Sequence, residues 1–324
     1  MSEFALLVAL LAAATVRGAT PLVLASLGGL FAERSGIVDI GLEGKMLASA
    51  FAAAATAAVS GSAWAGLGAG IAAAVLVSLV HGFACITHHG NQVVSGMALN
   101  IALSGLTAVL SYAWFHEGSQ TPLLGGAARF GPIALPGAST LARVPGIGPI
   151  YEQVVSGHNL LVYLAAAALP VAAWLMYRTR FGLRLRAVGE NPGAVDTAGI
   201  SVAATRYRAL AVSGVLCGLS GAYLSIAHHA SFIRDMSAGK GYLALAALIF
   251  GRWRPLPAAG ACLLFAFADA VQTRLQGTSL PVVGAVPVQL IQALPYILTV
   301  CLLAGFVGGA VAPRAIGVPY VKER

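Results

Sequence analysis

The side chains able to do chemistry are few in this 324-residue chain, and most of them interrupt apolar runs. Asp39, Glu43 and Lys45 surround a turn from Gly36 to Gly44. Asn91, Gln92 and Asn100 fall on one later run, and Asp269, Gln272 and Gln276 on another. Asp269 and Gln272 are three residues apart and Gln272 and Gln276 four, so one helix face would present all three. Ionisable and amide groups inside a membrane are unfavourable enough to be functional candidates. The candidate pathway set is therefore Asp39, Glu43, Asn91, Gln92, Asn100, Asp269 and Gln272. A structural reading stands beside it: Glu43 would pair with Lys45 or Arg34, and Asp269 with Arg274 or a neighbouring helix, since buried charges are usually paired.

Three other patterns invite reactive chemistry and fail on geometry. His88-His89 and His228-His229 are adjacent pairs, which point about 100° apart on a helix and have no carboxylate or cysteine at ligand spacing, so no metal site is expected. Gly218-Leu219-Ser220-Gly221 resembles the nucleophile motif of rhomboid intramembrane proteases. The later spans contain no His to act as base from a separate helix, and His228 and His229 lie just downstream on the same span, so no catalytic residue is expected. Gly44-Lys45 lacks the upstream glycine spacing and following hydroxyl of a phosphate-binding loop. The chain is expected to bind no cofactor itself.

The elements that carry these residues follow from composition. Hydrophobic residues make up 58% of the chain and charged ones 9%, with a mean hydropathy of +0.85. A soluble domain carries about a quarter charged residues, so a membrane is the solvent. Apolar runs at 19–33, 41–60, 63–86, 92–115, 158–177, 208–228, 240–251, 255–276 and 288–310 read as helices in a single all-α membrane bundle spanning 1–324. About nine transmembrane helices are expected, within a range of eight to ten, each near the roughly 20 residues that cross a bilayer. Residues 3–16 form either an interfacial helix or part of one long tilted span. The 240–251 run is short and opens on Gly239 and Gly241, as a broken or re-entrant helix would. Gly214, Gly218 and Gly221 suit close helix packing, and the four cysteines lie in apolar runs as packing residues.

The formal charge of +8 does not point to nucleic acid, because the basic residues gather at the ends of apolar runs. The loop 178–208 carries Arg178, Arg180, Arg184, Arg186, Arg206 and Arg208 against Glu190 and Asp196, which marks it as cytoplasmic. Counting outward places Arg252, Arg254 and the C-terminal tail on the same side. The Pro/Gly-rich loop 117–157 and the N-terminus fall outside.

Within that cytoplasmic loop, "RFGLRLRAVGENPGAVDTAGI" at 180–200 resembles the coupling loop of permease subunits of bacterial ABC importers, in the ribose and branched-chain amino-acid permease superfamily. "ERSGIVDIGLEGKML" at 33–47, "NQVVSGMALNIALSGLT" at 91–107 and "GYLALAALIFGRWRPLPAAGACLLFAFADAVQTRLQ" at 241–276 resemble its nucleoside-uptake branch, shorter permease type. The likeness runs from about residue 20 to 310. Asp39 stands where that branch usually carries Asn, and Asp196 interrupts a normally small-residue coupling helix.

The resemblance implies a permease in the bacterial cytoplasmic membrane that moves nucleosides inward. A ribose diol and base edges would meet the pathway amides and carboxylates. A separate ABC ATPase, using ATP and Mg, would dock on 189–199, with Gly189, Glu190, Asn191, Pro192, Ala194 and Gly199 as the coupling set. A second permease chain of different sequence and an extracytoplasmic substrate-binding lipoprotein complete the expected machine. The same importer for a simple sugar, and an ion-coupled carrier using Asp39, Glu43 and Asp269, are the alternatives.

Overall fold

A computed structural model describes residues 3–135, 151–275, 279–280, 284–285, 293, 297, 300 and 311–322. Helix α1 (Glu3–Arg34) is followed by α2 (Leu42–Ser60), α3 (Ala63–Gly82, continued by a π turn to Thr87) and α4 (Gln92–Phe115). After the connection containing β1 (Pro132–Ile133) and β2 (His158–Asn159) come α5 (Leu160–Arg178), α6 (Arg180–Glu190) and α7 (Pro192–Thr197). Helix α8 (Val202–Tyr223, with a π turn to His228), α9 (Lys240–Phe250) and α10 (Pro255–Leu275) complete the described bundle. A short antiparallel pair, β3 (Ser279–Leu280) and β4 (Gly284–Ala285), follows.

Seven of these helices are long and apolar enough to cross a membrane, and α9 is a shorter apolar helix. The expected span 288–310 lies outside the described residues. Residues 3–16 belong to α1 rather than to a separate interfacial helix. Continuity through Pro21 needs an explanation, because proline removes the donor for the carbonyl four residues back. That carbonyl is Arg17's, and the Tyr223 hydroxyl donates to it at 2.9 Å. The Ser220 hydroxyl donates to the Pro21 carbonyl at 2.8 Å, which gives the serine of the Gly218–Gly221 motif a packing role.

The α8 helix begins at Val202, earlier than the expected 208, so its first turns lie within the arginine-rich segment. Its glycines let it approach α2 and α3 closely. A Cβ on Gly214 or Gly218 would sit 2.7 Å from the Val75 or Ile71 Cα, and one on Gly221 would strike the Met46 carbonyl. Helices α1, α2 and α8 form the centre, around Leu22, Met46, Phe51, Tyr223 and Phe265.

Two linking segments are not helical, the first buried and the second mostly exposed or half-buried. Residues 35–41 link α1 to α2, and 229–239 lead from α8 to α9. The second runs back along α4: Phe232 exchanges hydrogen bonds with Thr121, and the Ser104 hydroxyl donates to Asp235 at 2.6 Å. The α9 helix then covers about 16 Å, half a hydrocarbon layer. Because α8 ends at His228 and the chain then returns to Trp253 beside Arg34, 229–250 crosses as a broken span, one of the two forms expected of 240–251, and does not re-enter. At the far end of α9 the Arg34 guanidinium donates to the Trp253 carbonyl. The basic groups of α6, 252–254 and the tail therefore share one face, called here the arginine-rich face.

Candidate translocation and coupling sites

Irregular backbone within a membrane must find hydrogen-bond partners inside the protein. The segment 35–41 finds them in polar side chains. The Val38 N–H donates to Gln92 Oε1 at 2.6 Å, and its carbonyl accepts from His81 Nε2 at 3.1 Å. The Asn100 amide donates to the Ile40 carbonyl and accepts from the Gly44 N–H, at 2.9 and 2.8 Å. The Arg206 guanidinium donates to the Ser35 carbonyl at 3.2 Å.

Carboxylates complete the network. Asp39 and Lys45 form a fully buried ion pair at 2.5 Å, and Ser213 donates to the same Asp39 oxygen at 2.9 Å. Glu43 accepts from the Ser237 hydroxyl at 2.5 Å and from the Gly239 and Gly241 N–H groups at 2.8 and 2.6 Å. A carboxylate at a helix N-terminus satisfies free donors and complements the helix dipole. Glu43 thus fixes the start of α9. Its partners are neither of the expected cations, Lys45 or Arg34.

The structure therefore brings Asp39, Glu43, Gln92 and Asn100 together and engages them with the protein. Asn91 stands apart, as the exposed cap of α4, accepting from the Val93 and Val94 N–H groups. Asp269 is exposed and Gln272 half-buried on α10; Gln276 lies outside the described residues. No described residue pairs with Asp269, so Arg274 does not serve as its partner. Exposed polar edges beside the buried network come from residues absent from the expected set. Tyr242 accepts a hydrogen bond from Asn100 at 2.9 Å, leaving its own proton for another acceptor, and Asp235 accepts from Ser104, one turn along α4 from Asn100. His81, Ser213 and Ser237 were also missed; His81 alone carried a signal, as an ionisable group within an apolar run.

The second region is α6–α7. Thr179 caps α6 through the Gly182 N–H, and Asn191 ends α6 and caps α7 through the Ala194 N–H at 3.0 Å. Pro192 occupies the first helical position, where no N–H is needed. Val195 anchors α7 against Val188 and Val202, with Tyr320 of the tail alongside. Glu190, Asn191, Ala194 and Gly199 are exposed, Pro192 is half-buried, and Gly189 is buried. A Cβ on Gly189 would strike the Arg34 carbonyl, and the Gly189 carbonyl accepts from the Ala315 N–H at 2.9 Å. Asp196 pairs with Lys322 at 3.4 Å. The arrangement is a short projecting helix on a rigid base, tied to α1 and the tail.

Residues 11–303 match the model of the branched-chain amino acid transport system permease component. The chain belongs to that family. The permease is 38% identical to the guanosine ABC transporter permease protein of Bacillus subtilis across 96% of both chains. It is 36% identical to the nucleoside ABC transporter permease protein of Lactococcus lactis across 94% of both. A Haloferax volcanii protein provisionally assigned as a glucose ABC transporter permease is 35% identical over 90% of this chain and 89% of its own. As a transport-system component, the permease works within a larger assembly rather than as an enzyme.

Proposed function

We propose that the permease is one membrane subunit of an ABC importer that moves nucleosides into the cytoplasm. The observation that carries this reading is the end-to-end likeness to the guanosine and nucleoside permeases, at 38% and 36% identity. The arginine-rich face is cytoplasmic, because a basic excess in short loops is retained on that side. An ATPase docks on the exposed part of 190–199 and pushes through α7 onto α6 and α8. A second permease chain, of a different sequence, faces this one, and a substrate-binding protein delivers cargo at the opposite face.

The solute passes beside the broken span 229–250, where Tyr242 and Asp235 offer a ring and hydrogen-bonding groups at half depth. Glu43, Gln92 and Asn100 act one layer behind, by fixing the backbone that presents those groups. An ion-coupled carrier is less favoured, since Asp39 and Glu43 are engaged by Lys45 and by the α9 N-terminus. The glucose relative favours a sugar as the second cargo.

Uptake of labelled guanosine and glucose by cells carrying the complete transporter, with and without this chain, tests the cargo. Guanosine uptake lost with the chain is the expected result; loss of glucose uptake alone would replace nucleoside with sugar. Arg184→Cys and Gly126→Cys test sidedness: an impermeant thiol reagent applied outside should label only the second.

A further inference from the structure

Arg17 and Arg129 converge on the face opposite the arginine-rich one, where basic residues are otherwise sparse. They line a cleft of about 440 Å³ with His158, Asn159 and Phe130. Arg17 lies about 25 Å along α1 from Arg34, close to the far edge of a hydrocarbon layer. Its side chain is exposed and has no hydrogen-bond or ion-pair partner among the described residues. Arg129 is held in place by the carbonyls of Ala227 and His228, both at 3.4 Å from Nη2, with its remaining donors open.

The wall of the cleft adds a second polar observation. His158 is 3% exposed and donates Nε2–H to the Val154 carbonyl at 3.0 Å. Its Nδ1 has no partner among the described residues. Burial, and after it the positive charge of Arg17, hold its pKa below the ordinary histidine range, so the arginines alone supply the charge. Among the described residues no acidic side chain lines this cleft.

An apolar groove begins within a turn of this cleft. It lies between α1, α5 and α10 and has a volume of about 250 Å³. Val16, Ala19, Thr20 and Val23 form one wall at helical spacing, and Val162, Ala165, Ala166 and Leu169 form another. Each wall runs about 10 Å into the bilayer. Thr20, the one hydroxyl residue among its described lining, donates back to the Val16 carbonyl at 2.9 Å, so the described walls are apolar.

We infer that this cleft and groove form a site for an anionic phospholipid of the outer leaflet, with its phosphate between Arg17 and Arg129 and an acyl chain between α1 and α5. A soluble anion would use the cleft and leave the groove empty. A docked protein would meet the arginines but not reach down between the helices. The charged mouth and the apolar trough together fit an amphiphile. The inference stands without the cargo assignment, and a failure of either leaves the other in place.

The test uses the full-length chain in its assembled, detergent-purified transporter. Retained lipid is counted by native mass spectrometry, and thermal stability is followed with phosphatidylglycerol, phosphatidylcholine, inorganic phosphate and glycerol 3-phosphate. Phosphatidylglycerol should be preferred over phosphatidylcholine by about tenfold or more, the scale set by two arginines at a lipid surface. Arg17→Gln with Arg129→Gln should remove that preference, and the paired lysine variant should keep most of it. Ala166→Phe, which fills the groove without changing charge, should weaken retention of both lipids.

Equal shifts from glycerol 3-phosphate or inorganic phosphate would overturn the inference in favour of a soluble-anion site. A glutamine pair that keeps the full preference, or an Ala166→Phe variant with unaltered retention, would overturn it as well. So would a glutamine pair that leaves lipid retention intact but weakens binding of the substrate-binding protein. Unchanged assembly of each variant, read by size-exclusion chromatography, guards against simple misfolding.

Discussion

Asp39 and Lys45 are fully buried, and the consequence is an asymmetry between losing one partner and losing both. Removing one charge strands the other and destabilises by about 3–5 kcal/mol, whereas replacing both can be nearly neutral. Lys45→Met should therefore lower the thermal midpoint of the purified transporter sharply, and adding Asp39→Asn should recover most of the loss. If instead Asp39 served an ion-coupled step, the double variant would be stable but unable to transport. Glu43→Gln makes a different demand: its amide keeps one acceptor oxygen, and its NH2 meets the donor or donors that the other carboxylate oxygen accepted from. Loss of about 2–4 kcal/mol is expected from the charge-assisted hydrogen bonds, measured as lower stability together with lower uptake. Burial of these residues was legible in the sequence, because a charge within an apolar run must be satisfied somewhere. Their partners were not. Glu43 binds groups 194 to 198 residues away, and Gln92 and Asn100 bind backbone on another element. Spacing reports which residues share a helix face and is silent on which irregular segment will lie against it.

At the scale of elements, hydropathy located the helices well because each apolar run has to bridge the same thickness. It misplaced the beginning of α8, where Val202 to Tyr207 continue the helix beneath the arginines, and it left the start of α1 open. Pro21 is a local signal for a break, and only the distant Tyr223 hydroxyl explains why none occurs. The coupling segment was legible from its Asn191-Pro192 turn, while its anchor at Val195 depends on Tyr320, more than a hundred residues on. Val195→Asp should release α7 from that anchor. Membrane insertion should persist while transport-coupled ATP hydrolysis falls severalfold; Glu190→Ala, at an exposed edge, should weaken ATPase association with less effect on the fold. Copurification of the ATPase and stimulated ATP turnover distinguish the two. By contrast Gly221→Leu forces α8 off the Met46 carbonyl, and the amount of folded protein should drop before any functional effect is seen.

Across the whole molecule, one strand of contacts joins α7, the proposed coupling helix, to the buried network. The tail accepts and donates along its length: Ala315 N–H to the Gly189 carbonyl, Gly317 N–H to the Gly36 carbonyl, and the Arg206 guanidinium to the Val318 carbonyl. Arg206 also holds Ser35, at the beginning of the segment that carries Asp39. In the proposed importer a displacement at α7 would reach the irregular segment through α6, the tail and Arg206, without passing through the lipid-facing helices. Val195 and Lys322 connect the tail to α7 itself, the latter by an exposed ion pair of little independent strength. Removing residues 314–324 should leave the chain inserted and the ATPase bound, because Glu190, Asn191 and Ala194 stay exposed on α6 and α7. Uptake should nevertheless fall severalfold while basal ATP hydrolysis continues, since the stroke no longer reaches Gly36. Lys322→Ala alone should have only a small effect. If the truncated transporter still takes up nucleoside at the wild-type rate, the stroke travels by another route, through α6 and the Arg34 carbonyl against which Gly189 packs.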